Sequence, residues 1–227
     1  MSPGEPRRAG SGGAPLRQED LAALDFDKGA GLLPVVVQHA ATGTVLMVGY
    51  MNEEALRATL LRRRLVFFSR SKRRLWEKGE TSGHFLELAE IRADCDRDAL
   101  LITARPHGPT CHLGTASCFG DEPVTAGERL GFLAALEEVI ERRIAERPEG
   151  SYTARLFAQG PKRIAQKLGE EGLEVALAAA ADTAEQVIAE SADLLYHLLV
   201  LLRSRGLPFE RVVAELQSRH AGKNPGT

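Results

Sequence analysis

The sequence lacks both a long hydrophobic run and a strong excess of charge of either sign. No apolar stretch reaches the ~18 to 20 residues that a membrane-spanning helix needs, so we expect no membrane span. The 227 residues include 29 Lys and Arg against 31 Asp and Glu, which gives a formal net charge of -2. This balance provides no long-range attraction to nucleic acid, although it is compatible with a local basic pocket for a phosphorylated small molecule.

Cysteine is scarce, and its three positions are close together. Cys95, Cys111 and Cys118 are the only cysteines in the chain. An odd number argues against a disulfide framework, and the N-terminal segment has no apolar core typical of a secretory signal. We therefore expect a cytoplasmic protein whose thiols are either small core residues or metal ligands.

The segment 1–20 is poor in apolar residues and rich in Gly, Pro and Arg. Such a composition predicts a disordered tail, because there is too little apolar surface to offset the loss of chain entropy. A transit peptide is the alternative, since Arg7 and Arg8 outnumber Glu5, but the segment lacks an amphipathic pattern.

The following segment, 21–119, is predicted to be a mainly-β domain. Short runs rich in β-branched or aromatic residues alternate with turn signals. A turn at 41–43 predicts a hairpin, and one helix is predicted over 52–63 with Asn52 as its N-cap. The predicted strands are 33–38, 44–50, 65–70, 84–94 and 99–104.

After a predicted linker at 120–127 the apolar periodicity becomes helical, which predicts an all-α bundle over 128–227. The fold class is therefore α+β, with a mainly-β N-terminal domain followed by an all-α helical-bundle domain. The helices are predicted over 128–146, from Pro161 to about 181, after an N-cap at Asp182 or Thr183, and after Gly206 and Pro208.

The run 94–98, Asp-Cys-Asp-Arg-Asp, combines hard and soft metal ligands. In an extended strand the three aspartates Asp94, Asp96 and Asp98 share one face, and Cys95 points to the other. Carboxylates suit Mg²⁺ and thiolates suit zinc.

Together with Cys111 and Cys118, Cys95 completes a three-thiol set. Such a set leaves one zinc position open for a water whose pKa falls to roughly 7, which would give a hydroxide nucleophile. The alternative is a solvated turn with cysteines in the core.

A second run, 69–83, mixes cations, hydroxyls, glycines and one aromatic residue. Such a loop can bind phosphates through charge and backbone N–H groups, and its tryptophan can stack on a base. The alternative is a basic surface hairpin. The candidate substrate-binding residues are Ser69, Arg70, Ser71, Arg74, Trp76, Lys78, Gly79, Thr81 and Ser82.

These segments together resemble the phosphoribosyl-AMP cyclohydrolase family over residues 31–119. The resemblance is carried, in order, by LLPVVVQHAATGTVLMVGYMNEEAL, SRSKRRLWEKGETSGH, DCDRDALL and GPTCHLGTASCF. It implies hydrolytic opening of the adenine ring of phosphoribosyl-AMP at the N1–C6 bond, and a homodimer with sites built across the subunit interface. It also implies zinc at Cys95, Cys111 and Cys118, and Mg²⁺ at Asp94, Asp96 and Asp98.

The implied ring opening needs a group that transfers protons. Attack of water at C6 is similar to the reaction of zinc nucleobase deaminases. His112, next to Cys111, is the candidate general acid or base, and His84 and His107 are further candidates. Alternatively, His112 only orients metal ligands.

Five acidic residues recur at helical spacing in the C-terminal half. Glu170, Glu171 and Glu174 share one helix, and Glu190 and Asp193 share the next. Antiparallel packing can bring the carboxylates together, and Mg²⁺ would then offset their repulsion and bind a triphosphate. Lys162, Lys167 and Arg163 lie upstream and can pair with the carboxylates or contact phosphates. The alternative is a pair of solvated acidic helix faces.

The segment 136–220 resembles the phosphoribosyl-ATP pyrophosphatase family, which is of the all-α nucleoside-triphosphate pyrophosphatase type. The motifs are SYTARLFAQGPKRIAQKLGEEGLEV and ESADLLYHLLVLL. The resemblance implies Mg²⁺ at the five acidic residues, a catalytic role for Glu171, and hydrolysis of phosphoribosyl-ATP to phosphoribosyl-AMP and pyrophosphate. The two implied reactions are consecutive steps of histidine biosynthesis.

Three alternative functions remain open on the residues alone. In the first alternative, only one of the two domains is active and the other is inert. In the second, a general nucleotide pyrophosphatase is fused to a zinc module. The third alternative is a non-enzymatic protein with structural zinc and a helical dimerisation module. A closed four-ligand zinc site would favour the last, because it leaves no position for water.

Overall fold

The computed structural model describes residues 15–122, 125–181 and 183–221. The chain divides into two compact units, with the boundary between residues 131 and 132. Strands occupy the region 33–106, and helices occupy the region from 126 to the end of the described chain. This arrangement confirms the predicted α+β class and the order of its two parts.

In the described part of the N-terminal unit, six strands form two sheets. The larger sheet has the order β2-β1-β6-β5, in which β1 and β6 are parallel and the two outer pairs are antiparallel. β3 and β4 form a separate antiparallel hairpin. β4 was not predicted, because its short run of mixed charged and apolar residues has no clear alternation. The strands are β1 (Leu33–His39), β2 (Val45–Met51), β3 (Val66–Ser69), β4 (Arg74–Glu77), β5 (Leu86–Ala93) and β6 (Leu100–Pro106).

One face of the larger sheet packs into the core of this unit. Leu33, Val35 and Val37 of β1 are buried and alternate with exposed residues, as the period of a strand requires. Helix α1 (Glu53–Arg62) contributes to the same core and has Asn52 as its N-cap, as predicted. The Thr59 hydroxyl accepts from the Val66 N–H at 2.9 Å and donates to the Val66 carbonyl at 3.2 Å, so it joins α1 to β3.

The described structure includes residues 15–20, which the composition predicts to be part of a disordered tail. A 3-10 helix runs over Gln18–Ala23, and the Leu16 N–H donates to the Ile91 carbonyl at 2.7 Å. Leu21 is buried in the sheet core. A few leucines therefore anchor residues 15–20, which the composition alone assigned to disorder. The rest of the predicted tail, 1–14, lies outside the described residues.

The C-terminal unit is built on helices around its own apolar core. Ile140, Leu156, Ile164, Leu199 and Val200 form that core. The short α3 was not predicted, because seven residues are too few for a clear period. None of the described helices is both long enough and apolar enough to cross a membrane. The helices in the described ranges are α2 (Ala126–Glu146), α3 (Tyr152–Ala158), α4 (Pro161–Ala181), α5 (Ala184–Ser204) and α6 (Glu210–Ala221).

Helix boundaries follow local signals in the sequence. The Thr183 side chain accepts from the Gln186 N–H and caps α5, whereas Asp182, the other predicted cap, lies outside the described residues. α2 begins at Ala126, inside the segment 120–127 that was predicted as a linker, and residues 123–124 of that segment are not described.

Candidate active sites

A pocket of about 510 Å³ opens in the N-terminal unit. Its volume is in the ordinary range of small-molecule sites, roughly 300 to 1,000 Å³. One wall follows the end of β4 and the loop after it, and the other is the segment 109–118. The lining residues are Met47, Trp76, Glu77, Lys78, Gly79, Glu80, Thr81, Ser82, His84, Pro109, Thr110, Cys111, His112, Gly114 and Cys118.

Two glycines allow these walls to approach each other at His84. Gly79 has φ +91°, and a Cβ there would lie 2.6 Å from the backbone carbonyl of His84. Gly108 has φ +112°, and a Cβ there would lie 2.6 Å from the His84 ring. A side chain at either position would strain the backbone and displace His84. The glycines therefore fix the shape of the pocket.

Cys111 and Cys118 both line this pocket. The Cys118 N–H donates to the Leu46 carbonyl at 2.8 Å, and the Cys111 N–H donates to the Thr115 carbonyl at 3.0 Å. A hydrogen bond from the Leu113 backbone lowers the pKa of the Cys111 thiol, whereas burial raises the pKa of Cys118. Cys111 is therefore the thiol that more readily forms the thiolate, which is the metal-binding form.

Two further features of the pocket fit a bound polar group. Thr110 is 2% exposed, and its hydroxyl has no hydrogen-bond partner among the described residues. Burial lowers the pKa of the Lys78 ammonium group, and the two nearby thiols oppose that effect. A buried hydroxyl without a partner and a partly buried cation both favour a ligand that brings acceptor atoms.

The segment 94–98 forms a turn rather than the extended strand considered from the sequence. The Asp94 Oδ1 atom accepts from the backbone N–H groups of Asp98 and Ala99, at 3.0 and 3.1 Å. An aspartate that bonds to nearby backbone in this way favours a turn over a strand. The carboxylate oxygens of Asp94, Asp96 and Asp98 nevertheless meet, within 4.8 Å of one another.

Cys95 lies in the same turn but does not join the other two thiols within one chain. Its side chain is exposed, and it is not part of the pocket that Cys111 and Cys118 line. In the described part of the chain, no group of three potential ligands includes a cysteine. A single chain therefore does not assemble the predicted three-thiol site.

The negative charge of the aspartate turn is partly offset by a lysine from the segment before β1. The Lys28 ammonium group contacts both Asp96 and Asp98. These hydrogen bonds raise the pKa of Lys28, and the bond from Lys28 lowers the pKa of Asp96. A divalent cation bound to the same two carboxylates would have to displace this ammonium group.

The predicted substrate-binding residues of the loop 69–83 separate into two groups. Five of them line the pocket: Trp76, Lys78, Gly79, Thr81 and Ser82. The other four, Ser69, Arg70, Ser71 and Arg74, do not line it. Arg70 instead lies over the Tyr50 ring, 3.8 Å from its centroid, and Arg74 forms an ion pair with Glu80 at 2.6 Å.

The three candidate histidines also differ in position. His112 and His84 line the pocket, and the His112 Nδ1 atom lies 3.9 Å from the Cys111 sulfur. His107 is not part of the lining. Its Nε2 atom lies 3.0 Å from the Glu87 carboxylate, and its ring stacks on Phe85 at 4.1 Å.

A second acidic cluster lies in the C-terminal unit, where α4 and α5 form a helical hairpin. Glu171 and Glu174 of α4 meet Glu190 of α5, with ligand oxygens within 4.8 Å of one another. Glu171 is 5% exposed. A buried carboxylate beside two others needs a cation or a proton to be stable.

Lys167 supplies part of that compensation. Its Nζ atom lies 2.9 Å from Glu171 and 3.0 Å from Glu170. The hydrogen bond from Lys167 lowers the pKa of Glu171, whereas a hydrogen bond to Glu171 raises the pKa of Glu174. Of these two carboxylates, Glu174 therefore takes up a proton more readily than Glu171.

Glu170 and Asp193 were predicted ligands that lie outside this group of three. Glu170 accepts from Gln166 at 2.9 Å and also faces Arg163. Lys162, a predicted phosphate-binding residue, is exposed on the first turn of α4. The structure thus brings three of the five acidic residues together.

Sequence patterns missed several residues at both clusters. Lys28 lies far from the aspartates in sequence, so spacing gave no signal. Thr110 precedes a predicted ligand, but its burial could not be inferred. Tyr152 and His197 pack beside Glu171; His197 follows Asp193 by one helical turn, and that spacing was the only available clue.

Sequence profiles of two known families match the two units in order. The phosphoribosyl-AMP cyclohydrolase profile matches residues 47–120. The phosphoribosyl-ATP pyrophosphohydrolase profile matches residues 133–220. Each match contains one of the clusters described above.

Whole-length relatives contain both parts in one chain. The chain is 57% identical over 200 residues to the Histidine biosynthesis bifunctional protein HisIE of Xanthomonas campestris pv. campestris, covering 88% of this chain and 94% of the relative. It is 54% identical over 205 residues to the protein of the same name from Escherichia coli (strain K12), covering 90% and 99%. The corresponding protein of Xylella fastidiosa (strain Temecula1) is 56% identical over 200 residues, covering 88% and 94%.

Replacing Lys28 with Met should strengthen divalent-cation binding at the aspartate turn. The variant removes the ammonium group that competes for Asp96 and Asp98. Since exposed ion pairs are weak and screened by water, we expect a modest gain of about two- to fivefold in Mn²⁺ affinity. Calorimetric titration with Mn²⁺ measures this gain, in a background of Glu171→Gln and Glu174→Gln that weakens the helical cluster.

Lys72→Met is the matched control, because it removes the same charge from the loop between β3 and β4. It should leave the Mn²⁺ affinity of the aspartate turn at the wild-type value. Equal Mn²⁺ affinities for Lys28→Met and for the same protein with Lys28 retained would show that Lys28 does not compete with the cation.

Proposed function

Because the chain belongs to the family of bifunctional histidine-biosynthesis hydrolases with a cyclohydrolase and a pyrophosphohydrolase domain, we propose a specific reaction for each unit. The C-terminal unit hydrolyses phosphoribosyl-ATP to phosphoribosyl-AMP and pyrophosphate. The N-terminal unit then adds water at C6 of the adenine ring of phosphoribosyl-AMP and breaks the N1–C6 bond. The observation that carries the proposal is that each unit holds its own cluster of acidic side chains within 4.8 Å.

The N-terminal pocket supports a site for zinc and a nucleotide. Two thiols line it, and one of them has a lowered pKa. We propose that Cys111 and Cys118 hold zinc there, with Cys95 as the third ligand. When bound, zinc would lower the pKa of a water at its open position to roughly 7, which makes that water a nucleophile at neutral pH.

Residues around the thiols have roles that suit the substrate. Lys78 brings positive charge and lies in the same lining as Thr81 and Ser82, whose hydroxyls can bind phosphate oxygens. Trp76 stacks on Phe67 at 5.2 Å between centroids, which holds the indole at the edge of the pocket. His112 transfers protons to and from N1 of the adenine ring while the N1–C6 bond breaks.

Mg²⁺ is the expected cation for the two acidic clusters. Carboxylate oxygens are the ligands that Mg²⁺ prefers. We propose that Asp94, Asp96 and Asp98 hold one Mg²⁺ in the N-terminal unit. A second Mg²⁺ in the C-terminal unit is held by Glu171, Glu174 and Glu190. Glu170 and Asp193 are further ligands that join it when substrate is present.

The C-terminal residues then bind and orient the triphosphate of the substrate. Lys167, beside Glu171, can contact a phosphate oxygen after a cation has taken over charge compensation of the carboxylates. Lys162 is exposed on the same helix and can do likewise. When bound, Mg²⁺ would neutralise charge on the phosphates and favour attack by water.

Two single variants should separate the two reactions. Cys111→Ser should abolish ring opening and leave pyrophosphate release unchanged, because only the N-terminal pocket loses a ligand. Glu171→Gln should do the reverse, because it removes the buried charge of the helical cluster. For the wild type and Cys111→Ser, both products are followed in one assay that supplies phosphoribosyl-ATP, Mg²⁺ and zinc. Ring opening by Glu171→Gln is measured with phosphoribosyl-AMP supplied directly.

Phosphoribosyl-AMP serves as the control substrate for Glu171→Gln, since it bypasses the first reaction. Loss of both activities in either variant would contradict separate sites. Equal turnover of ATP, GTP and phosphoribosyl-ATP by the wild type would instead favour a general nucleotide pyrophosphatase.

Replacing His112 with Ala should lower ring-opening turnover by ~10² or more and leave the zinc content unchanged. The imidazole is in the pocket but is not one of the three proposed thiol ligands. Metal analysis and steady-state rates measure the two effects together. His107→Ala is the control, because His107 pairs with Glu87 outside the pocket lining. Normal turnover in His112→Ala would remove His112 from the mechanism.

We further propose that the chain forms a homodimer in which Cys95 of one subunit completes the zinc site of the other. The proposal is supported by the exposure of Cys95 and by its separation from the pocket of Cys111 and Cys118. An exposed thiol in a turn is accessible to a second chain, whereas the two pocket thiols are too few for a zinc site by themselves.

Mixed dimers test this arrangement directly. Co-expression of differently tagged Cys95→Ser and Cys111→Ser chains gives heterodimers in which one of two sites has all its thiols. These heterodimers should have about half the wild-type ring-opening activity, while both variant homodimers are inactive. Inactive heterodimers would show that all three ligands come from one chain.

A further inference from the structure

A network of aromatic side chains reaches Glu171 through His197. It consists of Tyr152 at the start of α3 and of Tyr196 and His197 in α5. His197 is 5% exposed. The rings of Tyr152 and Tyr196 meet its ring edge-on, with centroids 5.9 and 5.2 Å away. The imidazole is therefore held in one orientation from two sides.

Both ring nitrogens of His197 have hydrogen-bond partners. Nδ1 lies 2.9 Å from the Asp193 carbonyl, which can only accept, so Nδ1 carries a proton and donates. Nε2 lies 2.9 Å from the Tyr152 hydroxyl. Partial burial raises the pKa of Tyr152, so the phenol keeps its proton and can donate to Nε2. A neutral imidazole satisfies both contacts.

The donating side of this imidazole also faces Glu171. The Nδ1 atom lies 3.5 Å from the Glu171 Oε1 atom, and the Lys167 ammonium lies 2.9 Å from the same oxygen. One carboxylate oxygen thus faces an N–H group and a cation. The contact between Nδ1 and Glu171 is electrostatic, because the Nδ1–H group is donated to the Asp193 carbonyl. Polar groups packed against a metal-binding carboxylate influence its orientation and tune its affinity.

We propose that His197 is a positioning residue of the C-terminal site, and that Tyr152 is its anchor. The electropositive Nδ1 edge of the His197 imidazole, 3.5 Å from the Oε1 atom, favours the orientation of the Glu171 carboxylate that binds the divalent cation. The Tyr152 hydroxyl keeps the imidazole in place through Nε2. This inference rests on the proposed function, because it requires a cation at Glu171.

Substitution of His197 by Leu and by Asn separates positioning from packing. Leu fills much of the same volume but has no N–H group, so Mn²⁺ affinity and kcat for pyrophosphate release should fall roughly tenfold. The Asn amide nitrogen can take the place of Nδ1, so His197→Asn should recover most of that affinity. The KM for phosphoribosyl-ATP at saturating Mg²⁺ should stay at the wild-type value in both variants.

Mn²⁺ affinity is measured by calorimetry in full-length chains that carry Asp94→Asn, Asp96→Asn and Asp98→Asn, so that the helical cluster dominates the signal. Tyr152→Phe should lower it as well, by less than His197→Leu, since only the anchor is lost. Tyr196→Phe is the matched control. It also removes one phenol hydroxyl from the network, but that hydroxyl bonds to Thr153 at 2.7 Å and not to His197.

The outcomes distinguish this inference from the proposed function. Equal losses in His197→Leu and His197→Asn, or equal losses in Tyr152→Phe and Tyr196→Phe, would show that the network only packs the helices. Wild-type affinity in His197→Leu together with weakened binding in Glu171→Gln would overturn the inference and leave the metal site standing. Wild-type affinity in Glu171→Gln would overturn both.

Discussion

The fold holds negatively charged side chains closer together than they would remain in water. Three aspartates in a turn and three glutamates on a helical hairpin each place their oxygens within 4.8 Å. At that separation like charges repel, and in a partly buried setting water screens them less. The rest of each unit therefore includes a means of compensation: a lysine and backbone N–H groups at the turn, and a lysine on the helices.

The two clusters differ in how rigidly they are built. The aspartate turn depends on local backbone bonds and on one partly exposed lysine, which a cation can displace. Glu171 is buried between α4 and α5, and its Oε1 atom faces both Lys167 and His197. In the proposed metal sites, the first arrangement would favour easy exchange of the cation, and the second would favour a fixed geometry. A fixed geometry at the helical cluster suits the proposed pyrophosphate release, because positioning of the phosphates provides most of the catalysis in such a reaction.

The thiols show that the chemistry of a site can be split among separate parts of a chain. Cys111 and Cys118 are fixed by backbone bonds in one loop, and hydrogen bonding favours the thiolate of Cys111. Cys95 belongs to the aspartate turn and is exposed. In the proposed dimer the same turn would therefore contribute to a magnesium site and, across the interface, to a zinc site. Each unit of the chain has its own apolar core, so each can keep its site independently of the other.

The sequence by itself determined the class of the fold and the two families, and it supplied the candidate ligand residues. Strand periodicity, helix periodicity and caps such as Asn52 and Thr183 are local effects, so they could be read without the structure. The tertiary structure decided which ligands meet: Glu190 but not Asp193 joins Glu171, and Cys95 stays apart from Cys111. It also supplied Lys28 and Tyr152, whose partners are distant in sequence. Spacing reports the face of a helix or strand, whereas the final distance between two side chains depends on how those faces pack.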